Sequence, residues 1–331
     1  MNKSQSLFLG ILFVVLIGLP FLGSEYYVDW MTKTLIYGIF ALSLELLVGT
    51  TGLVCFGQAA FFGIGAYAVV KISADHVSPD TVYLLPISML LAGVFALFVG
   101  ALSLRTKGVY FIMVTLAFAQ MAYYVIHDTP IGGGTDGIYL YNKPSLFGWS
   151  ISSSIEFYLF TVGCLFFVFG LLGLITHSRF GRALTGIRIN ELRMRAIGYE
   201  TYNYKLIAFV ISGMIAGLSG YLFAVKDGFV NPELLSWHLS GAVLIMIILG
   251  GLGHIRGAFI GAFAFALLEE FFRSETIFGS FAKYWHLGLG LSIILCVAFL
   301  PKGLFGIPSI WKSKLTGTKN VQNNLQLEEK E

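Results

Sequence analysis

The sequence predicts an all-α polytopic membrane protein with about ten transmembrane segments. The 331 residues are 56% hydrophobic and only 12% charged, whereas soluble domains carry about 25% charged residues. The mean hydropathy is +0.80, and long runs almost without charge can be accommodated only in lipid. The apolar runs are continuous rather than alternating, which argues against a transmembrane β-barrel.

The predicted organisation is a single transmembrane domain, residues 1–306, and a polar cytoplasmic tail, residues 307–331. Two regions, 49–70 and 239–272, are interrupted by glycines, and we expect one or both to be discontinuous or re-entrant. The predicted segments, in order, are 7–22, 33–49, 49–70, 82–104, 108–126, 155–175, 206–225, 239–252, 257–272 and 285–300.

Lysine and arginine concentrate in alternate loops, which predicts the orientation in the membrane. The turns 104–107 and 253–256, the loop 177–205 and the tail are basic, so we expect them, with both termini, on the cytoplasmic side. A re-entrant segment would break this parity. The opposite loops carry few basic residues, namely Lys143, Lys226, Arg273 and Lys283.

The loop 177–205, here called the basic segment, is the longest strongly basic insert between apolar runs. We expect short helices in it, because Asn190 is a good N-cap, Glu191 suits a first helical turn and Gly198 is a natural helix stop. A short capped helix between two spans indicates a cytoplasmic docking element. The alternative is a solvated loop that only sets orientation.

Region 49–70 combines several glycines with few polar side chains. A broken helix there would expose backbone groups to a substrate, and Gln58 and Tyr67 are the side chains that would face it. The alternative is tight helix packing through small residues. Glu45 is an acid at span depth, which we interpret as a structural hydrogen-bond partner rather than part of a pathway.

Loop 127–154 is rich in glycine and has no arginine. We expect a turn at Thr135, Asp136 and Gly137, with free backbone donors. It is either a substrate-side loop or an ordinary surface turn.

The motif inventory argues against an enzyme and predicts no cofactor in this chain. There is no G-x-x-x-x-G-K-[ST], H-E-x-x-H or G-x-S-x-G motif, and the three cysteines show no metal spacing. The small net charge of +3 gives no indication of nucleic-acid binding. A pore subunit that is driven by a partner fits these observations; the alternative is a secondary carrier that works alone.

Two stretches resemble the permease subunits of bacterial branched-chain amino acid ABC importers, of the type called LivM: FGRALTGIRINELRMRAIGYETYNYKLIAFVISGMIAGLSGYLFA (180–224) and GFVNPELLSWHLSGAVLIMIILGGLGHIRGAFIGAFAFALLEE (228–270). Residues 52–70, 108–120, 132–138 and 300–306 also resemble that pattern, so the resemblance covers residues 30–306. His254 and Ala258 depart from it, since the family commonly has a small hydroxyl residue and a proline there.

The resemblance implies a multi-pass permease of the bacterial cytoplasmic (inner) membrane. It implies as partners a LivH-like second permease, two ATP-binding subunits that hydrolyse ATP, and a soluble periplasmic or lipid-anchored substrate-binding protein. Related importers take urea, short amides or other amino acids, and these substrates stay open. The implied coupling residues are Arg182, Arg188, Glu191, Ala196 and Gly198, and the residues we expect along the substrate path are Gln58, Phe61, Tyr67, Tyr110 and Thr115.

Overall fold

The computed structural model describes residues 25–74, 80–140, 144–146, 149–150, 153–274, 278–300 and 303–306, together with Leu16 and Gly18. The rest of the predicted span 7–22 and the whole tail 307–331 lie outside the described residues. The predicted all-α polytopic class is confirmed. Within the described residues, six helices are long and apolar enough to cross a membrane, or up to seven with one bent pair, and ten crossings remain a prediction.

The described helices are α1 (Glu25–Glu45), α2 (Gln58–Ala74), α3 (Thr81–Ser103), α4 (Val109–Asp128), α5 (Ser154–His177), α6 (Arg179–Ile189), α7 (Glu191–Ala196), α8 (Thr201–Asp227), α9 (Trp237–Gly250), α10 (Ile255–Arg273) and α11 (Trp285–Phe299). A π-helical turn, Leu46–Thr51, continues α1. Short antiparallel strands pair as β1 (Ile138–Tyr139) with β4 (Phe229–Val230), and as β2 (Ser145–Leu146) with β3 (Trp149–Ser150).

Helices α1 and α8 form the centre of the bundle. In the apolar window of α1 and its π-turn 89% of residues are buried, against 6% for the window that contains α11. Small residues allow α8 to pack closely against its neighbours, as the sequence predicts. A Cβ at Gly220 would overlap the Phe62 carbonyl of α2, and a Cβ at Gly213 would overlap Ala96 of α3.

Region 49–70 contains a break in the regular helix at its start, and whether it forms a discontinuous span stays a prediction. The π-helical turn ends at Gly52, whose φ of 73° is left-handed and favours glycine. Extended chain follows, and regular helix resumes only at Gln58. The break therefore separates α1 from α2 inside the glycine-rich region.

Region 239–272 forms two helices, α9 and α10, bent by 115° relative to each other. They pack against each other through glycines, because a Cβ at Gly261 would overlap the Met246 carbonyl. The turn between them contains Gly253, whose φ is 88°. The pair is either a broken span or a re-entrant loop.

Segment 226–238 is polar in sequence, which predicts a place outside the core, but it lies partly inside the bundle. Val230 and Leu235 are both fully buried. Leu235 occupies the space that the missing side chain of Gly63 leaves on α2. The free energy gained by burying these two hydrophobic side chains therefore decides where the segment lies, despite its polar neighbours.

The loops of the bundle fall into two groups. At one end, here called the basic end, the basic segment contacts turn 104–107 through Lys107 and Glu191, 4.0 Å apart, and contacts turn 253–256 through Arg188 and Gly253. At the opposite end, Lys226 lies 3.1 Å from Asp29, and β1 pairs with β4. The same grouping follows from the charge of the loops, and which end faces the cytoplasm stays a prediction.

Candidate functional site

The basic segment folds into two capped helices, as predicted. The Ser178 side chain accepts a hydrogen bond from Gly181 N, 3.2 Å, at the start of α6. The Asn190 side chain accepts one from Arg193 N, 2.9 Å, at the start of α7. Gly198 ends the pair with a φ of 90°. Local capping therefore determines the shape of this segment.

Glu191 is the centre of an ion-pair cluster that fastens α7 to α8. Its carboxylate lies 2.8 Å from Lys205 Nζ and 2.6 Å from Arg195, and it accepts a hydrogen bond from Thr201 Oγ1, 3.1 Å. Partial burial raises the pKa of Glu191, but the hydrogen bond and charge of Lys205, with the charge of Lys107, outweigh it and leave the pKa below its ordinary value. All of these partners of Glu191 belong to this chain, so its carboxylate holds α7 in place on α8.

Arg188, at the end of α6, also has a hydrogen-bond partner within this chain. Its guanidinium donates a hydrogen bond to the carbonyl of Gly49 in the π-helical turn. The other three predicted coupling residues, Arg182, Ala196 and Gly198, are exposed at the basic end. Arg182 donates to the His177 carbonyl, 2.8 Å. The five residues therefore share one end of the bundle; Glu191 is half-buried, and the other four, Arg188 among them, are exposed.

Four of the five predicted path residues lie inside the bundle. Gln58, Phe61 and Thr115 are fully buried, and Tyr67 is 5% exposed. Thr115 Oγ1 accepts a hydrogen bond from Phe56 N, 3.3 Å, in the break before α2. Tyr110 is 73% exposed on the outer face of α4. Thr115 thus lies beside the break before Gln58, Tyr67 lies farther along α2 against Gly132, and Tyr110 is separate from both on the outer face.

Gln58 joins helices at the start of α2. Its amide nitrogen donates to Ser43 Oγ of α1, 2.8 Å, and to Ser212 Oγ of α8, 2.9 Å. The neighbouring Ala59 N donates to Ser240 Oγ of α9, 2.9 Å. This buried polar cluster therefore connects four helices at the break.

The predicted turn at the opposite end is present. Residues Pro130–Gly132 and Gly134–Asp136 form short 3₁₀ turns, and Thr135 and Asp136 are exposed. Gly137 has a φ of 67°, and a Cβ there would lie 2.5 Å from the Val230 carbonyl oxygen. Tyr67 donates to the Gly132 carbonyl, 3.4 Å. The loop is thereby held against α2 and β4, with its polar tip outward.

A family model described as "Branched-chain amino acid transport system / permease component" matches residues 26–298. The chain belongs to this family. The permease is 32% identical to the LivM permease protein of the high-affinity branched-chain amino acid transport system of Escherichia coli K12, with 91% of this chain and 75% of that protein covered. A LivH protein of Salmonella typhimurium is 23% identical, with 83% and 93% covered.

Other similarities are weaker. The LsrC permease of the autoinducer 2 import system of an Enterobacter species is 28% identical, with 79% of this chain and 77% of that protein covered. A solved structure titled "PsaBC from Streptococcus pneumoniae in complex with Fab" is 13% identical, covers 90% of the permease and 98% of that chain, and has a TM-score of 0.46. That score is too low to support an argument.

The sequence analysis did not include the exposed apolar residues of the basic segment among the site residues. Ile189, Leu192 and Ile197 are 79%, 74% and 65% exposed. Bulky apolar side chains at such exposure, beside polar neighbours, are typical of an interaction surface. The available signal was that Ile189 lies between Arg188 and Asn190, and Leu192 between Glu191 and Arg193. We call these three residues the apolar docking surface.

A pH titration tests the ion-pair role of Glu191. Because its pKa in the folded protein lies below the ordinary value, its contribution to stability is complete above the ordinary pKa of about 4.3 and is lost as the pH falls through the folded-state pKa. We expect the thermal stability of wild type to fall more over this acid range than that of Glu191→Gln, which has no carboxylate to protonate. Equal acid sensitivity in a melting series of both proteins would contradict the cluster.

Gln58→Ala separates a structural role from contact with substrate. The change removes hydrogen bonds to Ser43 and Ser212, and we expect a loss of about 1–2 kcal/mol in the free energy of unfolding. We expect the KM for transported substrate to change less than twofold, because Gln58 is fully buried. Thermal unfolding and uptake kinetics measure the two effects. An unchanged melting temperature with a raised KM would instead favour substrate contact.

Proposed function

We propose that this chain is a transmembrane permease subunit of an ATP-driven importer for branched-chain amino acids in the bacterial cytoplasmic membrane. One observation carries the proposal: the basic segment presents an apolar docking surface while ion pairs fasten its base to the transmembrane helices. Such a surface suits a soluble partner, and a fastened base can transmit the partner's motion. The similarity to LivM supports the substrate class.

The proposed partners follow from the same arrangement. Two ATP-binding subunits dock at the basic end and hydrolyse ATP, so this chain needs no cofactor or catalytic group of its own. A substrate-binding protein docks at the opposite end, where Thr135, Asp136 and Gly137 form the outer turn. In this arrangement both termini are cytoplasmic and the chain crosses the membrane ten times, counting the segment 7–22.

The second permease, a LivH-like subunit, covers the outer face of α4 in this proposal. The exposed residues of α3 are mainly aliphatic or phenylalanine, as expected of a surface in lipid. The exposed residues of α4 differ, because Tyr110, Met113, Met121 and Tyr124 lie among them beside Val109 and Val125. Methionine and tyrosine adapt to an apolar substrate or partner while they offer polarizable or hydroxyl groups. Tyr110 would line the path between the subunits. The wall of that path would be supported from inside the bundle by Gln58, Phe61, Tyr67 and Thr115.

Transport then follows from a rocking motion. The loaded binding protein releases substrate at the opposite end, and ATP binding draws the two ATP-binding subunits together at the basic end. The docked basic segments convert that movement into a change between outward-open and inward-open helix arrangements.

Co-purification tests the proposal. The tagged chain is extracted from its native membrane, and the proteins that accompany it are identified by mass spectrometry. We expect an ATP-binding subunit and a second permease in stable amounts. A matched Leu192→Asp preparation should lose the ATP-binding subunit and keep the second permease, because a charge is placed in the apolar docking surface. A transport-competent chain without partners would instead show a secondary carrier.

A further inference from the structure

Three separate parts of the permease meet at the basic end around Glu45. Glu45 is the last residue of α1 and is 2% exposed. Its Oε1 accepts a hydrogen bond from Gly253 N, 2.7 Å, in the turn between α9 and α10. The backbone of His254, the N-cap residue of α10, also donates toward the carboxylate. A buried carboxyl group therefore lies at the N-terminal end of α10.

Arg188 brings the basic segment to the same point. Its guanidinium donates to the Gly49 carbonyl, one turn beyond Glu45. Its Nη1 lies 3.5 Å from the position that a Cβ of Gly253 would occupy. One cation on α6 thus contacts the π-helical end of α1 and the α9–α10 turn at once.

Glycines make this close approach possible. A Cβ at Gly49 would overlap Glu45 Oε1, and a Cβ at Gly52 would lie 3.1 Å from Arg188 Cγ. Gly52 and Gly253 also have φ values of 73° and 88°, which other residues rarely adopt. The cluster of Glu45, Arg188 and these glycines, here called the charge node, is therefore tightly packed and sensitive to displacement of any one part.

We propose that Arg188 is a positioning residue that transmits movement of the docked basic segment to both discontinuous regions of the permease. This inference rests on the proposed function and adds a route of coupling to it. When the ATP-binding subunits displace α6 and α7, Arg188 displaces the end of α1 and the α9–α10 turn together. Because Arg188 bonds to Gly49 and lies beside Gly253, the two regions keep their contact during the movement.

The test compares Arg188→Met, Arg188→Lys and the matched control Arg179→Met in the complete complex. Arg179 is exposed at the start of the same helix. Uptake, ATP hydrolysis and the amount of ATP-binding subunit that co-purifies are measured for each. We expect Arg188→Met to retain the ATP-binding subunit but to lower uptake about tenfold or more, as loss of a hydrogen bond from a charged group predicts. Arg188→Lys should recover part of that loss, and Arg179→Met should behave as wild type.

Glu45→Gln keeps the proposal testable if Arg188→Met folds poorly. Glutamine retains an acceptor for Gly253 N but changes the carboxyl group that packs against Gly49. In the node, Glu45→Gln in the Arg188→Met background should cost less than it costs alone, because the contact that links the two residues is already lost. Additive effects would overturn the node, as would loss of the ATP-binding subunit from Arg188→Met, which would make Arg188 a docking contact. Absence of ATP-driven uptake in wild type would overturn the proposed function itself, and the inference with it.

Discussion

Replacing Gly220 with alanine is expected to remove most of the folded permease from the membrane. The added methyl would overlap the Phe62 carbonyl and lie 3.1 Å from Ala66 N, both of which are backbone atoms of α2. Backbone cannot move aside as a flexible side chain can, so we expect a cost at the upper end of the usual overpacking range of about 1–3 kcal/mol. The yield of monodisperse solubilised protein and its melting temperature measure the effect.

Gly170→Ala is the matched control for this substitution. Gly170 also lies within a long apolar helix, α5, but a Cβ there meets nothing within 4 Å. Alanine should stabilise that helix by up to about 1 kcal/mol, since glycine is the poorer helix former. The same chemical change is therefore expected to have opposite signs at the two positions. Equal stability of both variants would show that α2 and α8 do not approach as closely as described.

The second large effect is expected for Glu191→Ala. Without the carboxylate, Lys205, whose side chain is 13% exposed, loses its 2.8 Å partner, and Arg195 and Thr201 lose theirs. We expect α7 to lose its fixed orientation on α8, so that uptake and substrate-stimulated ATP hydrolysis fall together by about tenfold or more, as the loss of several charge-assisted bonds predicts. Membrane insertion should be retained, because α7 lies outside the spans.

Glu200→Ala provides the comparison. Glu200 is an exposed acid of the same segment and accepts a 2.5 Å hydrogen bond from Asn203. Its removal should leave uptake within about twofold of wild type, the small effect usual for an exposed pair. Normal substrate-stimulated hydrolysis in Glu191→Ala would remove Glu191 from the coupling assignment.

The features that sequence predicts best are local. Asn190 caps α7 and Gly198 ends the helix pair because neighbouring backbone groups alone decide those conformations. The small-residue face of α8 is equally visible, because Gly213, Gly217 and Gly220 leave room for a second helix. The break before Gln58 follows from the cost of several glycines in a helix.

The inward contacts of the charged residues could not be predicted in this way. Arg188 and Gly49 are 139 positions apart, and only the tertiary fold brings them together. By residue type alone, Arg188 and Glu191 cannot be told apart from the solvated charged residues of the same run. Only the partners that the fold supplies distinguish them. Val230 and Leu235 are similar, because their burial depends on α2 and not on their polar surroundings. The predicted roles of the path residues remain predictions.

The most direct measurement of the central claim is uptake of radiolabelled leucine into proteoliposomes that contain the purified complex with this chain and its substrate-binding protein. We predict uptake that requires ATP on the side of the basic end, requires the binding protein, and is lost when Leu192→Asp replaces the native chain. Uptake by the chain alone, without ATP and without partners, would contradict the account and establish a secondary carrier.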